Sequence, residues 1–248
     1  MFVSASTLCW PELDLQDCIE RLQDLDFSAV EIAMGEDMVV KPSEILADED
    51  RGIQLLRHTH RMDISGYDVT LSSTGQQYDD DFARICHIAK QTKVVNVTVP
   101  SGPHGTPFNE EVERLGRLVK IAESEGVRVC VKTSLGCLSD DPDTLMVFCN
   151  NTDGLGITLD PSVFIAGPSA GKPLDNILKY VCNLHLRDTK PDQFQVSVGQ
   201  GQVDYAKWIT QLEREKYDRA LTVHMEPMEG LDHRVELRKL RRLLETLL

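Results

Sequence analysis

Short runs rich in β-branched residues alternate along this chain with stretches of helical spacing. The runs are Phe2–Ser6, Ala29–Ala33, Ile64–Leu71, Val94–Val99, Val127–Thr133, Leu155–Asp160, Val181–Arg187 and Ala220–Glu226. Between them, apolar side chains recur every three or four residues, the period of one helix face. Leu15, Ile19, Leu22 and Leu25 form one such stripe; Phe82, Ile85 and Ile88 with Ala89 form another. Val112, Leu115, Val119 and Ala122 follow, then Trp208, Ile209 and Leu212, and finally Val235, Leu240, Leu243, Leu244 and Leu247. Asn109, Asp204 and Asp232 stand where helices should begin and offer oxygens to unpaired first-turn amides. Gly126 and Gly154 precede strands, where the chain leaving a helix needs a residue tolerant of positive φ. Regular strand–helix alternation predicts parallel strands joined by right-handed crossovers. Eight such units in 248 residues predict one (β/α)8 TIM barrel over residues 1–248. A doubly wound open sheet is the alternative, but no GxGxxG follows the first run.

Composition narrows the partners. Hydrophobic residues at 41% suffice for a large core, while the formal net charge of -14 repels phosphodiester backbones and argues against nucleic acid. The one basic run, Arg234 to Arg242, lies on the amphipathic C-terminal stripe and reads as a solvated helix face. No stretch approaches the roughly 20 apolar residues that span a bilayer, so no membrane partner is expected. The seven cysteines include no CxxC pair; Cys18, Cys86, Cys130, Cys149 and Cys182 sit among apolar neighbours and read as small core residues in a reducing compartment. With no basic region and apolar stretch for export at the N-terminus, the expectation is a cytoplasmic protein.

In a barrel of this kind the chemistry gathers at the C-terminal ends of the strands, where the loops converge on one axis. Glu31, between Val30 and Ile32, alternates into the barrel and is a candidate substrate contact, with an internal ion pair equally consistent. The fourth run leads into a Pro/Gly-rich turn carrying His104, a second candidate contact. The fifth ends in Lys132-Thr133-Ser134, the sixth in LDPSVF (Leu159–Phe164), the seventh in LHLRDT (Leu184–Thr189) and the eighth in VHMEP (Val223–Pro227). His185 can donate a nitrogen lone pair to a metal, and Arg187, on the same side, presents a planar fork to carboxylate or phosphate. Asp188 can orient either one. In VGQGQVDY (Val198–Tyr205), Gly199 and Gly201 permit close backbone approach, and the loop amides could hold an anion. His224 reads as a packed interior residue one layer below Glu226.

The LDPSVF, LHLRDT, GQGQVD and HMEP segments resemble those of the xylose isomerase-like TIM barrels, in particular their sugar isomerase/epimerase branch. The resemblance implies a divalent metal (Mn, Mg or Zn) held by Asp160, His185 and Glu226, with Glu226 also an acid–base group. It implies proton transfer next to a carbonyl on a sugar or sugar phosphate, a place in carbohydrate metabolism, and a homodimer or tetramer. Two positions depart from the family pattern. Lys132 stands where the family carries a glutamate that is both ligand and base, and Val163 replaces a histidine. An ammonium has no lone pair to give a metal, so the expected enzyme has an altered, metal-free site with Glu226 and Lys132 as its catalytic pair. Asp160 and Glu226 are the partners expected for the Lys132 ammonium. The alternative is a non-catalytic protein that binds an anionic sugar-like ligand through Lys132 and Arg187. An endonuclease-type relative would need further histidines on the third, fourth and sixth runs, which this chain lacks.

Overall fold

The computed structural model describes residues 1–248. Its barrel strands are β1 (Phe2–Ser6), β2 (Ala29–Met34), β3 (Asp63–Val69), β4 (Asn96–Pro100), β5 (Arg128–Lys132), β6 (Gly156–Leu159) and β7 (Val181–Leu186). After β7 come two short strands, β8 (Asp188–Lys190) and β9 (Gln193–Val196), which pair antiparallel as a separate hairpin; β10 (Ala220–Val223) is the last barrel strand. The eight barrel strands pair in parallel and close in the order β1-β10-β7-β6-β5-β4-β3-β2. Closure removes every free sheet edge and leaves only two destinations for a side chain, the barrel interior or the helix layer.

The main outer helices are α1 (Leu15–Asp24), α4 (Gly75–Gln91), α5 (Phe108–Ser124), α6 (Pro142–Asn151), α9 (Tyr205–Arg214) and α10 (His233–Leu247). Four shorter ones, α2 (Pro42–Ala47), α3 (Glu49–Arg57), α7 (Val163–Ala166) and α8 (Asp175–Leu178), fill the longer connections. No helix is long and apolar enough to cross a membrane. Asp204 and Asp232 cap α9 and α10 as expected, each accepting from first-turn amides. Asn109 does not: it lies inside α5, whose flanking residue is Pro107 with no side-chain cap. Gly126 and Gly154 adopt φ of 72° and 84°, the left-handed exits that the chain needs before β5 and β6.

The last stripe shifts register relative to expectation. Leu237, Leu240 and Leu244 are buried, while Val235 and Leu243 face solvent. The buried face also takes Arg241, whose guanidinium lies over Phe27 and pairs with Asp26 and Glu245. A long side chain with an apolar stem can line a helix seam when its charge finds a partner at the rim.

The cysteines require a correction as well. Cys18, Cys86 and Cys149 are free and buried, but Cys130 on β5 and Cys182 on β7 form a disulfide, with Cα atoms 6.7 Å apart. The bond crosses Gly156 on the intervening β6. A Cβ there would run into the Cys182 sulfur and stand 3.2 Å from the Cys130 sulfur, so only glycine leaves room. Gly156→Ala should therefore lower the unfolding free energy by about 1–3 kcal/mol in urea denaturation. An unchanged midpoint would mean that the barrel floor adapts.

Candidate active site at the C-terminal mouth of the barrel

A cavity of about 380 Å³ opens at the C-terminal mouth of the barrel, where Lys132, Asp160, Arg187, His224 and Glu226 meet Asp68. Each comes from a different strand end except His224 and Glu226, which share the segment after β10. Inward-pointing polar groups in a closed barrel have no bulk water to turn to, so they must satisfy one another. Here they do so as a chain. The Lys132 ammonium donates to Asp68 Oδ2 at 2.6 Å. Asp68 Oδ2 stands 3.6 Å from His224 Nε2, too long for a hydrogen bond but close enough for attraction. Arg187 Nη2 lies 2.5 Å from His224 Nδ1, and its Nε donates to Asp160 Oδ2 at 3.1 Å. Asp160 Oδ1 accepts from the Ser162 amide at 2.9 Å.

The guanidinium has only donors, so His224 Nδ1 must accept, and the proton of the neutral ring sits on Nε2, toward Asp68. Burial, the stacked His185 ring 4.0 Å away and the Lys132 ammonium, in that order, hold the His224 proton affinity well below that of an ordinary imidazole. Burial alone would raise the Asp68 carboxyl, but Lys132 and the two histidines outweigh it and keep the group well below the usual carboxylate range.

Beneath this chain lies a second cluster. His185 Nε2 lies 2.8 and 3.0 Å from the two Glu31 oxygens and is aligned with Oε2, which Asn183 Nδ2 also donates to at 2.5 Å. Glu31 and His185 are fully buried and do not line the cavity. Of the two roles that alternation allows Glu31, substrate contact or internal pairing, the fold selects the second and gives the carboxylate to His185 and Asn183.

Other candidates also take other partners. Asp188 Oδ2 accepts from the Gly199 and Gly201 amides at 2.7 and 2.9 Å, and Oδ1 accepts from Thr189 N at 3.0 Å. The anion that the glycine loop holds is thus the protein's own carboxylate, and a Cβ on Gly201 would collide with it. His104 Nε2 lies 3.0 Å from Asp140 Oδ1, with its side chain 55% exposed in the loop after β4, away from the cavity. Lys132, expected beside Asp160 or Glu226, is claimed by Asp68. Sequence reading did not single out Asp68. Its signal was present as the lone charge inside the β-like run Ile64–Leu71.

A family model described as xylose isomerase-like TIM barrel matches residues 19–246. The chain belongs to that family. Its solved structural neighbours include a D-tagatose 3-epimerase-like protein (18% identity, TM-score 0.76), with 100% of this chain and 98% of that one covered. The D-psicose 3-epimerase of Clostridium cellulolyticum H10, solved with D-tagatose, aligns at 16% identity and TM-score 0.76 over 100% and 99% of the two chains. A xylose isomerase-like TIM-barrel protein from Mycobacterium smegmatis, in complex with magnesium, aligns at 14% and 0.74 over 99% and 95%. At these identities the likeness establishes the fold. A search of the curated proteins finds no match to this chain.

One of these neighbours holds magnesium, and this chain too gathers possible metal donors. Glu31, Asp68, His185 and His224 bring ligand atoms within 4.8 Å of one another, a set of the type that can hold a divalent metal. Glu31 Oε1 and His224 Nε2 have no hydrogen-bond partner. The protons decide against a fit. Arg187 on Nδ1 puts the His224 proton on Nε2, the atom that would bind; Glu31 does the same to His185 Nε2; and Lys132 already holds Asp68. A ligating histidine normally donates its other N–H to an acceptor, whereas His185 Nδ1 has no partner. Nearby, Lys132 supplies an ammonium rather than a ligand, and Asp160 is held by Arg187. The residues as arranged do not fit a metal.

The neutral state of His224 carries a pH signature. Unfolded, the ring titrates near pH ~6.5. Below that pH the unfolded chain takes up a proton that the folded one refuses. Stability should then fall as pH drops, by up to about 1.4 kcal/mol per pH unit for one such group. His233, lowered mainly by burial, adds in the same direction. The Asp68 contribution persists until pH falls below about 4, the unfolded carboxylate range. Urea midpoints should decline from pH 7 to pH 5, and His224→Gln should flatten that decline. An equally steep decline in the variant would assign the effect elsewhere.

Proposed function

We propose that this protein is a sugar isomerase/epimerase whose proton transfer next to a carbonyl runs without a metal. The observation that carries this reading is the state of Glu226. Among the ionisable groups lining the cavity, Glu226 alone makes no side-chain hydrogen bond or ion pair, and it is exposed at the rim. A carboxylate with unused lone pairs, reached from solvent, is what a general base at the mouth requires.

Opposite charge is at hand. The Lys132 side chain is 22% exposed and spends one of its three N–H donors on Asp68. Arg187 spends Nε and Nη2 on Asp160 and His224, leaving Nη1 without a protein acceptor. A ketose or aldose whose carbonyl oxygen meets these donors has its α-proton acidified. As Glu226 takes the proton, negative charge develops on that oxygen, where preorganised cations stabilise it most. Glu226 then returns the proton to the neighbouring carbon while the hydroxyl proton of the first carbon passes to the former carbonyl oxygen, so the carbonyl moves by one position and the count of protons is unchanged. Asp68 and Asp160 already hold cations, so the cavity offers one free base. A one-base, same-face transfer between adjacent carbons is favoured over a two-base inversion.

The binding-protein alternative rests on the same spare donors of Lys132 and Arg187. Charge counts against an anionic ligand: the lining holds three carboxylates (Asp68, Asp160, Glu226) and two cations (Lys132, Arg187). Neighbouring D-psicose 3-epimerases have been solved with the free ketoses D-tagatose and D-fructose, which makes these the first compounds to try. In D2O, NMR should show deuterium entering the carbon next to the carbonyl, with or without EDTA. Glu226→Gln should slow that exchange by roughly 10²- to 10⁴-fold with the fold intact. Unchanged turnover in Glu226→Gln would overturn the reading, and EDTA-sensitive turnover would overturn its metal-free part.

A further inference from the structure

Glu226 lies three residues past the end of β10, beyond the barrel's hydrogen-bonded ladder. Something other than the sheet must fix it. Its amide donates to Gln195 Oε1 at 2.9 Å, and its carbonyl accepts from Gln195 Nε2 at 2.7 Å. These are the only hydrogen bonds that its peptide groups make, and Pro227 follows without an N–H to add another. One primary amide thus engages both polar groups of one residue, as a neighbouring strand would do.

Gln195 belongs to β9, and the β8–β9 hairpin is itself anchored. Its first residue, Asp188, is held by the Gly199, Gly201 and Thr189 amides. Thr189 Oγ1 donates to Phe194 O at 3.0 Å and contacts Ser162 Oγ at 2.5 Å. Phe194, next to Gln195, lines the cavity and lies 4.8 Å from the Arg187 guanidinium. The hairpin therefore touches one group from each of the last two barrel strands, Arg187 through an aromatic face and Glu226 through an amide.

We infer that Gln195 is a positioning residue: it holds Glu226 over the cavity, and the hairpin sets the Glu226–Arg187 spacing. The catalytic half of this inference rests on the reading of Glu226 given above, whereas the positioning half does not. Small displacements of a reacting group cost large factors in rate, of order 10²-fold for about 1 Å.

The test compares wild type, Gln195→Ala and Gln195→Glu, each confirmed folded by circular dichroism. In Gln195→Ala the Glu226 amide should exchange with D2O at least tenfold faster by NMR, because its acceptor is gone. Gln195→Glu keeps an acceptor for that amide and should stay near the wild-type rate. With D-tagatose or D-fructose as probe, Gln195→Ala should lower kcat roughly 10- to 100-fold with KM little changed. Unchanged Glu226 exchange in Gln195→Ala would overturn the inference outright. Faster exchange with undiminished turnover would reduce Gln195 to a structural contact and equally overturn it. A wild type inert toward every ketose would instead sink the proposed reaction, and the exchange rates would still decide whether Gln195 holds Glu226.

Discussion

A closed barrel admits charge to its interior only if the charges satisfy one another, and the Lys132–Asp68–His224–Arg187–Asp160 chain is how this protein meets that demand. Two cations and two carboxylates alternate around one imidazole, with links of 2.6, 3.6, 2.5 and 3.1 Å. An unpaired ion at this depth would cost several kcal/mol, and removing one member leaves its partner buried and uncompensated. The chain therefore fixes the orientation of the five groups that it links. It sets the tautomer of His224, keeps Asp68 ionised and directs the unused donors of Lys132 and Arg187.

The same constraint separates this site from a metal centre. A divalent cation would have to share Asp68 with the Lys132 ammonium and displace the His224 Nε2 proton that the Arg187 contact at Nδ1 sets in place, so protein cations and metal compete for this group. Lys132 on β5 reaches Asp68 on β3 and anchors the network there. What stays free is at the rim: the Glu226 carboxylate, held from outside by Gln195 rather than by the sheet.

Much of this was legible from residue order. Alternating runs and stripes gave the barrel, because period-2 and period-3.6 burial follow from local backbone geometry. Capping by Asp204 and Asp232 and the glycine exits at Gly126 and Gly154 are equally local. The motifs on β6, β7 and after β10 located the mouth, and Asp160, Arg187, Lys132 and Glu226 do line one cavity there. The helix start near Asn109 and the face of α10 were less readable. Several starts and stripes fit those stretches, and packing against neighbours such as Phe27 chose among them.

Partnership was not legible at all. Sequence order names Lys132, Asp160, His185 and Glu226 as chemistry at strand ends, yet it does not say that Lys132 reaches Asp68, sixty-four residues away. Nor does it say that His185 turns inward to Glu31, that the glycine loop folds onto Asp188, or that Cys130 meets Cys182 across Gly156. Each of these depends on barrel closure, which brings β2, β3, β5, β7 and β10 around one axis and lets the nearest opposite charge or open donor decide. Residue order alone dictated the barrel and which charged residues, Lys132 among them, stand at its strand ends. Only the tertiary structure decided which of those charges neutralise each other and which one, Glu226, is left free, because pairing is a matter of distance in space rather than along the chain.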